Sequence, residues 1–206
     1  MPSPEGLAVE PEFRVVPPQR DSIPCLSDYI LVCDHGLDAA TCSAILEEYA
    51  GAAEWRPTSV VGGYLPDKRR CDAISLVDPG VVGSSSRRQE LASQILKGIG
   101  DAAKAYAARH VNCSVSRTFG VELLRYKPGG FYVQHHDASF EQPRILTCVV
   151  GLNSDYEGGA LTWFDERIRI RPETGRIILF PSNFLFPHSA EPTTSGMRYV
   201  IVCWLI

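Results

Sequence analysis

The sequence contains no apolar run approaching the roughly 20 residues that a membrane-spanning helix requires, so no membrane association is expected. It has no CxxC pair among its seven cysteines, which disfavours a zinc or disulfide framework and fits reduced thiols. Positive charge is not in excess either: 20 Lys and Arg stand against 24 Asp and Glu, so the electrostatic footprint of a nucleic-acid binder is missing. The opening MPSPEGLAVEPEF lacks a basic stretch followed by an apolar one, so a secretory leader is not expected and the protein is read as cytoplasmic.

A chain of 206 residues is long enough for one well-buried domain and short for two. The proline-rich lead-in over 1–24 reads as extended or mobile, followed by a single domain over 25–206. Within it YILVC reads as a strand, and LDAATCSAILEEYAGAA has apolar positions at helical spacing. A longer helical pattern runs from about Arg87 to His110, after serines that offer an N-cap. From Ser114 onward short apolar runs alternate with the turns PGG, NSDYEGG, DER, PETG and TTSG. Connections this short cannot hold helical crossovers, so the sheets should be mainly antiparallel. The expected fold is α+β: a jelly roll, or double-stranded β-helix, braced by two or more N-terminal helices.

Chemistry concentrates in the strand region. In YVQHHDA, residues two apart share a strand face, so His135 and Asp137 can reach one ion together while His136 points away. With His188 they make two imidazoles and one carboxylate, the set that leaves coordination positions open in non-haem Fe(II) oxygenases. A structural zinc site would be closed and richer in cysteine. Arg198 follows the turn-like EPTTSG, and a hairpin would carry it beside His188. Its planar guanidinium suits the far end of a dicarboxylic acid.

These residues resemble the Fe(II)- and 2-oxoglutarate-dependent dioxygenases, and within them the prolyl 4-hydroxylase branch. The resemblance rests on Tyr126, Gly129, Tyr132, His135 and Asp137 in YKPGGFYVQHHD, then RILTCVVGLN, EGGALTWF and IRPETGRIILFPSNFLFPHSAEPTTSGMRYVIVCW in the family's order. It covers about Val121 to Ile206. It implies that His135, Asp137 and His188 ligate Fe(II) and that Arg198 pairs with the distal carboxylate of 2-oxoglutarate. By the same resemblance Tyr126 hydrogen-bonds this cosubstrate, and Thr147 is expected to line its pocket. Gly151 departs from a tyrosine expected in some oxygen-sensing relatives, so a second contact to the distal carboxylate must come from elsewhere, with Thr147 the candidate. The retained Asp137 favours hydroxylation over halogenation.

Tyr132, in the same run, is assigned to the substrate or oxygen pocket. Trp204 shares strand parity with Arg198 and either faces this pocket or is a core tryptophan. The long connection over 55–86 exceeds ordinary loop length, and Lys68, Arg69 and Arg70 within it belong either to a substrate lid or to a solvated charge cluster. The implied reaction couples decarboxylation of 2-oxoglutarate to hydroxylation of an unactivated C–H bond by dioxygen, with ascorbate as a possible reductant by family expectation. A prolyl residue of a peptide or protein is the first substrate expectation. The alternatives are a free amino acid or small natural product, and a non-catalytic metal-binding jelly-roll module.

Overall fold

Both expected helices form where their caps stand. Asp38 accepts a hydrogen bond from the Thr41 amide at 2.8 Å, starting α1 at Ala39–Tyr49. Ser85 accepts from the Arg88 amide at 3.3 Å, starting α2 at Ser86–Arg109. Each side chain satisfies one of the amides that a helix start leaves unbonded. The computed structural model describes residues 12–15, 25–60, 63–77, 83, 85–110, 112–141 and 143–206.

The strands, in chain order, are β1 (Glu12–Val15), β2 (Leu31–Asp34), β3 (Arg56–Pro57), β4 (Arg69–Arg70), β5 (Asp72–Ser75), β6 (Thr118–Tyr126), β7 (Phe131–His135) and β8 (Leu146–Gly151). They continue as β9 (Glu157–Gly158), β10 (Leu161–Trp163), β11 (Ile168–Ile170), β12 (Ile177–Pro181), β13 (His188–Ala190), β14 (Thr193–Ser195) and β15 (Arg198–Leu205). A major sheet of eight strands runs β1-β2-β12-β8-β15-β6-β5-β3, and a minor sheet of five runs β11-β10-β13-β7-β4. Every pairing is antiparallel, as the short connections require.

Two apolar layers follow from strand parity. Ile177, Leu179, Cys148, Val150, Ile201, Cys203 and Leu205 point from the major sheet towards Ile45, Tyr49, Leu91, Ile95 and Ile99 of the helices. The alternate residues Ile178, Phe180, Val149 and Val200 point towards Leu161, Trp163 and Ala190 of the minor sheet. The helices therefore back one face of the major sheet, leaving the space between the sheets for the site. Cys33, Cys42, Cys71, Cys148 and Cys203 are buried free thiols, used as small core residues.

Two expectations change. The sheet reaches into the lead-in, because Glu12–Val15 pairs antiparallel with Leu31–Asp34; the rest of 1–24 lies outside the described residues. The long connection is also stitched to both sheets, β3 and β5 into the major one and β4 onto β7 of the minor one. Backbone hydrogen bonding, which no side-chain period announces, anchors the part carrying Arg69 and Arg70.

Candidate metal and cosubstrate site

His135 and His188 are direct partners across β7 and β13, with ring centroids 4.3 Å apart. Asp137 lies past the end of β7, so strand parity is not what places it. Its amide donates to the Ser182 carbonyl at 3.0 Å, as does that of Ala138 at 2.9 Å, and these bonds turn the chain back over the site. One carboxylate oxygen stands 3.4 Å from His135 Nε2 and the other 3.6 Å from His188 Nε2. One donor atom from each residue falls within a 4.8 Å cluster.

The outer atoms of the same residues fix their orientation. His135 Nδ1 lies 2.9 Å from the Val133 carbonyl and His188 Nδ1 3.1 Å from that of Phe186. A carbonyl can only accept, so each Nδ1 carries the proton and each Nε2 turns a lone pair inward. Thr147 Oγ1 donates to Asp137 at 2.6 Å. Burial pushes the His188 imidazole down to about 4 despite the Asp137 charge. Burial also acts to raise the Asp137 carboxyl, but its neighbours His135, His188 and Thr147 outweigh it and hold the group well below the usual carboxylate range. An ionised carboxylate beside a neutral imidazole is the protonation state a metal needs.

His136 is exposed and bonds locally, Nδ1 to the Ala138 carbonyl at 2.9 Å, outside the donor cluster. Tyr132 stacks on His135 at 3.5 Å between centroids and lines the cavity.

A cavity of about 460 Å³ joins the three donors to Arg198, Tyr126, Tyr132, Thr147 and Trp204. The expected hairpin between His188 and Arg198 does not form. β13 belongs to the minor sheet and β15 to the major sheet, so the two residues face one cavity from opposite walls. Arg198 is 1% exposed and lies over the Tyr126 ring at 4.5 Å, yet its Nε and Nη1 have no hydrogen-bond partner. Burying an unpaired guanidinium is costly, and an incoming carboxylate would remove that cost.

Thr147 cannot be the free second contact to such a carboxylate, because its hydroxyl is engaged with Asp137 and with Ser182 Oγ at 2.9 Å. Thr193 has a fully buried and unpartnered hydroxyl instead. A Cβ on Gly159 would sit 2.8 Å from Arg198 Cδ and 3.3 Å from Thr193 Oγ1, which places both groups at one spot and explains the bare backbone there. At Gly151 a Cβ would meet the Pro172 and Glu173 carbonyls at 2.3 and 2.2 Å, so a tyrosine is excluded.

Trp204 lines the cavity, in step with Val200 and Val202 along the unbroken β15–β8 ladder. Arg144, which the pattern did not mark, lies over this ring with Cζ 3.4 Å from the centroid and donates to the Asp137 carbonyl at 3.2 Å. Arg144 Nε and Trp204 Nε1 are both buried donors without partners. Arg69 reaches the cavity over the Tyr132 ring at 4.8 Å, whereas Lys68 and Arg70 are exposed and outside its lining. The donor set fits an open metal site, and the buried unpaired Arg198 fits a dicarboxylate beside it.

Residues 121–206 match the family model described as the 2OG-Fe(II) oxygenase superfamily. A PKHD-type hydroxylase of Synechococcus sp. (strain CC9902) is 36% identical over 97 residues, covering 44% of this chain and 43% of that protein. A putative prolyl 4-hydroxylase of Acanthamoeba polyphaga mimivirus is 25% identical over 116 residues, covering 47% of this chain and 48% of that one. The chain thus matches less than half the length of these relatives. Among solved structures, a Trichoplax adhaerens prolyl hydroxylase in complex with a hypoxia inducible factor peptide fragment superposes with a TM-score of 0.73 at 18% identity, covering 86% of this chain and 83% of that one. A Pseudomonas putida prolyl-4-hydroxylase gives 0.69 at 21%, covering 86% and 92%. Over residues 121–206 the sequence thus resembles the 2OG-Fe(II) oxygenase superfamily, and the fold of the chain is similar to that of the solved prolyl hydroxylases.

Proposed function

We propose that the chain is an Fe(II)- and 2-oxoglutarate-dependent hydroxylase acting on a prolyl residue of a polypeptide. The observation that carries this reading is the pairing of the His135, Asp137 and His188 cluster with a buried guanidinium whose Nε and Nη1 have no partner among the described residues. Iron, when bound, supplies the coupling of 2-oxoglutarate decarboxylation to insertion of an oxygen atom into a C–H bond.

The chain's own groups hold the reactants. Asp137 stays ionised and His188 stays neutral in the buried site. Arg198 takes the distal carboxylate, with Thr193 as its second donor, and the Tyr126 ring holds the guanidinium in place. In the cavity wall, the Arg144 guanidinium lies over the Trp204 ring, and each side chain keeps a buried N–H without a partner. Such a surface suits a compact ring with backbone carbonyls on either side, which a proline in an extended peptide presents. Ascorbate as reductant belongs to this proposal by family analogy.

The test is succinate formation by protein reconstituted with Fe(II) under anaerobic conditions and then given 2-oxoglutarate and air, with and without proline-containing peptides. Turnover stimulated by peptide and lost in Asp137→Ala is expected. Turnover that no peptide stimulates would move the assignment to a small-molecule substrate. Bound iron with no turnover at all would leave a metal-binding module.

A further inference from the structure

Segments that border the cavity carry exposed apolar side chains that neither core uses. Phe140 is fully exposed, Phe184 is 72% exposed, and Leu185 and Ile145 are 45% and 42% exposed. Exposed apolar residues are ordinary when scattered, but hydrogen bonds bring the segments that carry these four together at one residue, Ser182. Its carbonyl accepts from Asp137 and Ala138, and its amide donates to the Ile145 carbonyl at 3.0 Å. Phe140 follows Ala138 by two positions, and Phe184 and Leu185 follow Ser182 by two and three. The Leu185 amide is held by Asn183 Oδ1 at 3.0 Å, so the segment presenting both side chains is a built turn.

The position of this surface names its occupant. The residue that bonds all three segments is the one that turns Asp137 into the metal cluster, and Ala138, Ser139 and Arg144 from the same segments line the cavity. The apolar group therefore sits on the segments that line the cavity and that turn Asp137 into the donor cluster. Resting on the hydroxylase reading above, we infer that the Phe140, Ile145, Phe184 and Leu185 surface docks the substrate polypeptide beside its target residue, and that it selects substrates with bulky apolar side chains flanking that residue. A small-molecule substrate would leave the surface without a use, and a polar-flanked peptide would keep it wet. Burying such side chains against it would release about 25 cal/mol per Å² of apolar area removed from water.

The experiment measures binding, so that it stands apart from turnover. Fluorescently labelled peptides with one central proline, flanked either by leucine and phenylalanine or by serine and glutamate, are titrated onto the full chain loaded with Mn(II) and 2-oxoglutarate. The apolar-flanked pool should bind at least about tenfold more tightly, a difference of about 1.4 kcal/mol. Phe140→Ser combined with Phe184→Ser should abolish that preference, while Leu96→Ser, an exposed apolar position on α2, should preserve it. Both altered side chains of the double variant are exposed, and its cooperative melting is checked alongside. Equal binding of the two pools, or a preference that survives the double substitution, overturns the inference. So would binding to neutral phosphatidylcholine vesicles that the double variant loses while the pools bind equally, because the surface would then face lipid. If the apolar pool binds selectively but is not hydroxylated, the docking surface stands and the hydroxylase reading falls.

Discussion

The two faces of strand β15 are built to opposite specifications. Tyr199, Ile201, Cys203 and Leu205 face the helices inside a closed apolar layer. Arg198, Val200, Val202 and Trp204 face the cavity, and there both polar side chains keep nitrogens without partners. Buried polar groups are ordinarily satisfied, so one face completes itself on folding and the other is completed by what binds. Stability and function are thus separated by one residue along a strand, and substitutions on the two faces should fail in different ways.

The largest effect should come from removing the cavity's metal donor. Asp137→Ala is expected to lose both metal binding and succinate formation while the fold melts cooperatively, whereas His136→Ala keeps most of both. Equal loss in the two variants would show that the donor register is misread. On the other face, Ile201→Ala should cost about 2–5 kcal/mol of unfolding free energy, read by urea denaturation, because Ile201 is fully buried in the helix-side core. Arg198→Met should invert that pattern. It should leave the stability of the metal-free protein unchanged or raised, since an unpaired buried charge is removed, and should raise KM for 2-oxoglutarate by roughly tenfold or more, as expected for a lost charge-assisted pair of about 1.5–3 kcal/mol.

Thr147→Val tests the support behind the donors, with metal affinity expected to fall by about 10–100-fold and the fold retained. The smallest effect lies at the end of α2. Burial, reinforced by Arg109, pushes the His110 imidazole below its usual value, and the ring stacks on Tyr29 and packs at a tilt against Tyr106. Its contribution is therefore fully present above about pH 6.5 and lost as pH falls and the unfolded state takes up the proton first. His110→Gln should flatten this part of the stability profile below about pH 6.5.

Where local chemistry sets the structure, the sequence was a sufficient guide. The apolar spacing in LDAATCSAILEEYAGAA and the serines before Arg87 announced both helices, and parity along RYVIVCWLI put Trp204 and Arg198 on one wall. Long-range pairing was not legible. Asp137 reaches the cluster through Ser182, forty-five positions later in the chain, and Arg198 meets His188 across two sheets with no hairpin between them. Arg144 and Thr193 carried no usable signal either, because a single arginine in QPRI or threonine in EPTTSG looks like any solvated turn residue. What sets them apart in the structure is a buried polar atom without a partner, Arg144 Nε and Thr193 Oγ1.

The most direct test of the account is the unfolding temperature of Mn(II)-loaded protein with and without 2-oxoglutarate, compared between the wild type and Arg198→Met. A site completed by its cosubstrate predicts that wild type gains about 2.7 kcal/mol at a ligand concentration 100 times its Kd, while the variant gains essentially nothing at that same concentration. Equal stabilisation of both proteins, or none in the wild type, would contradict it.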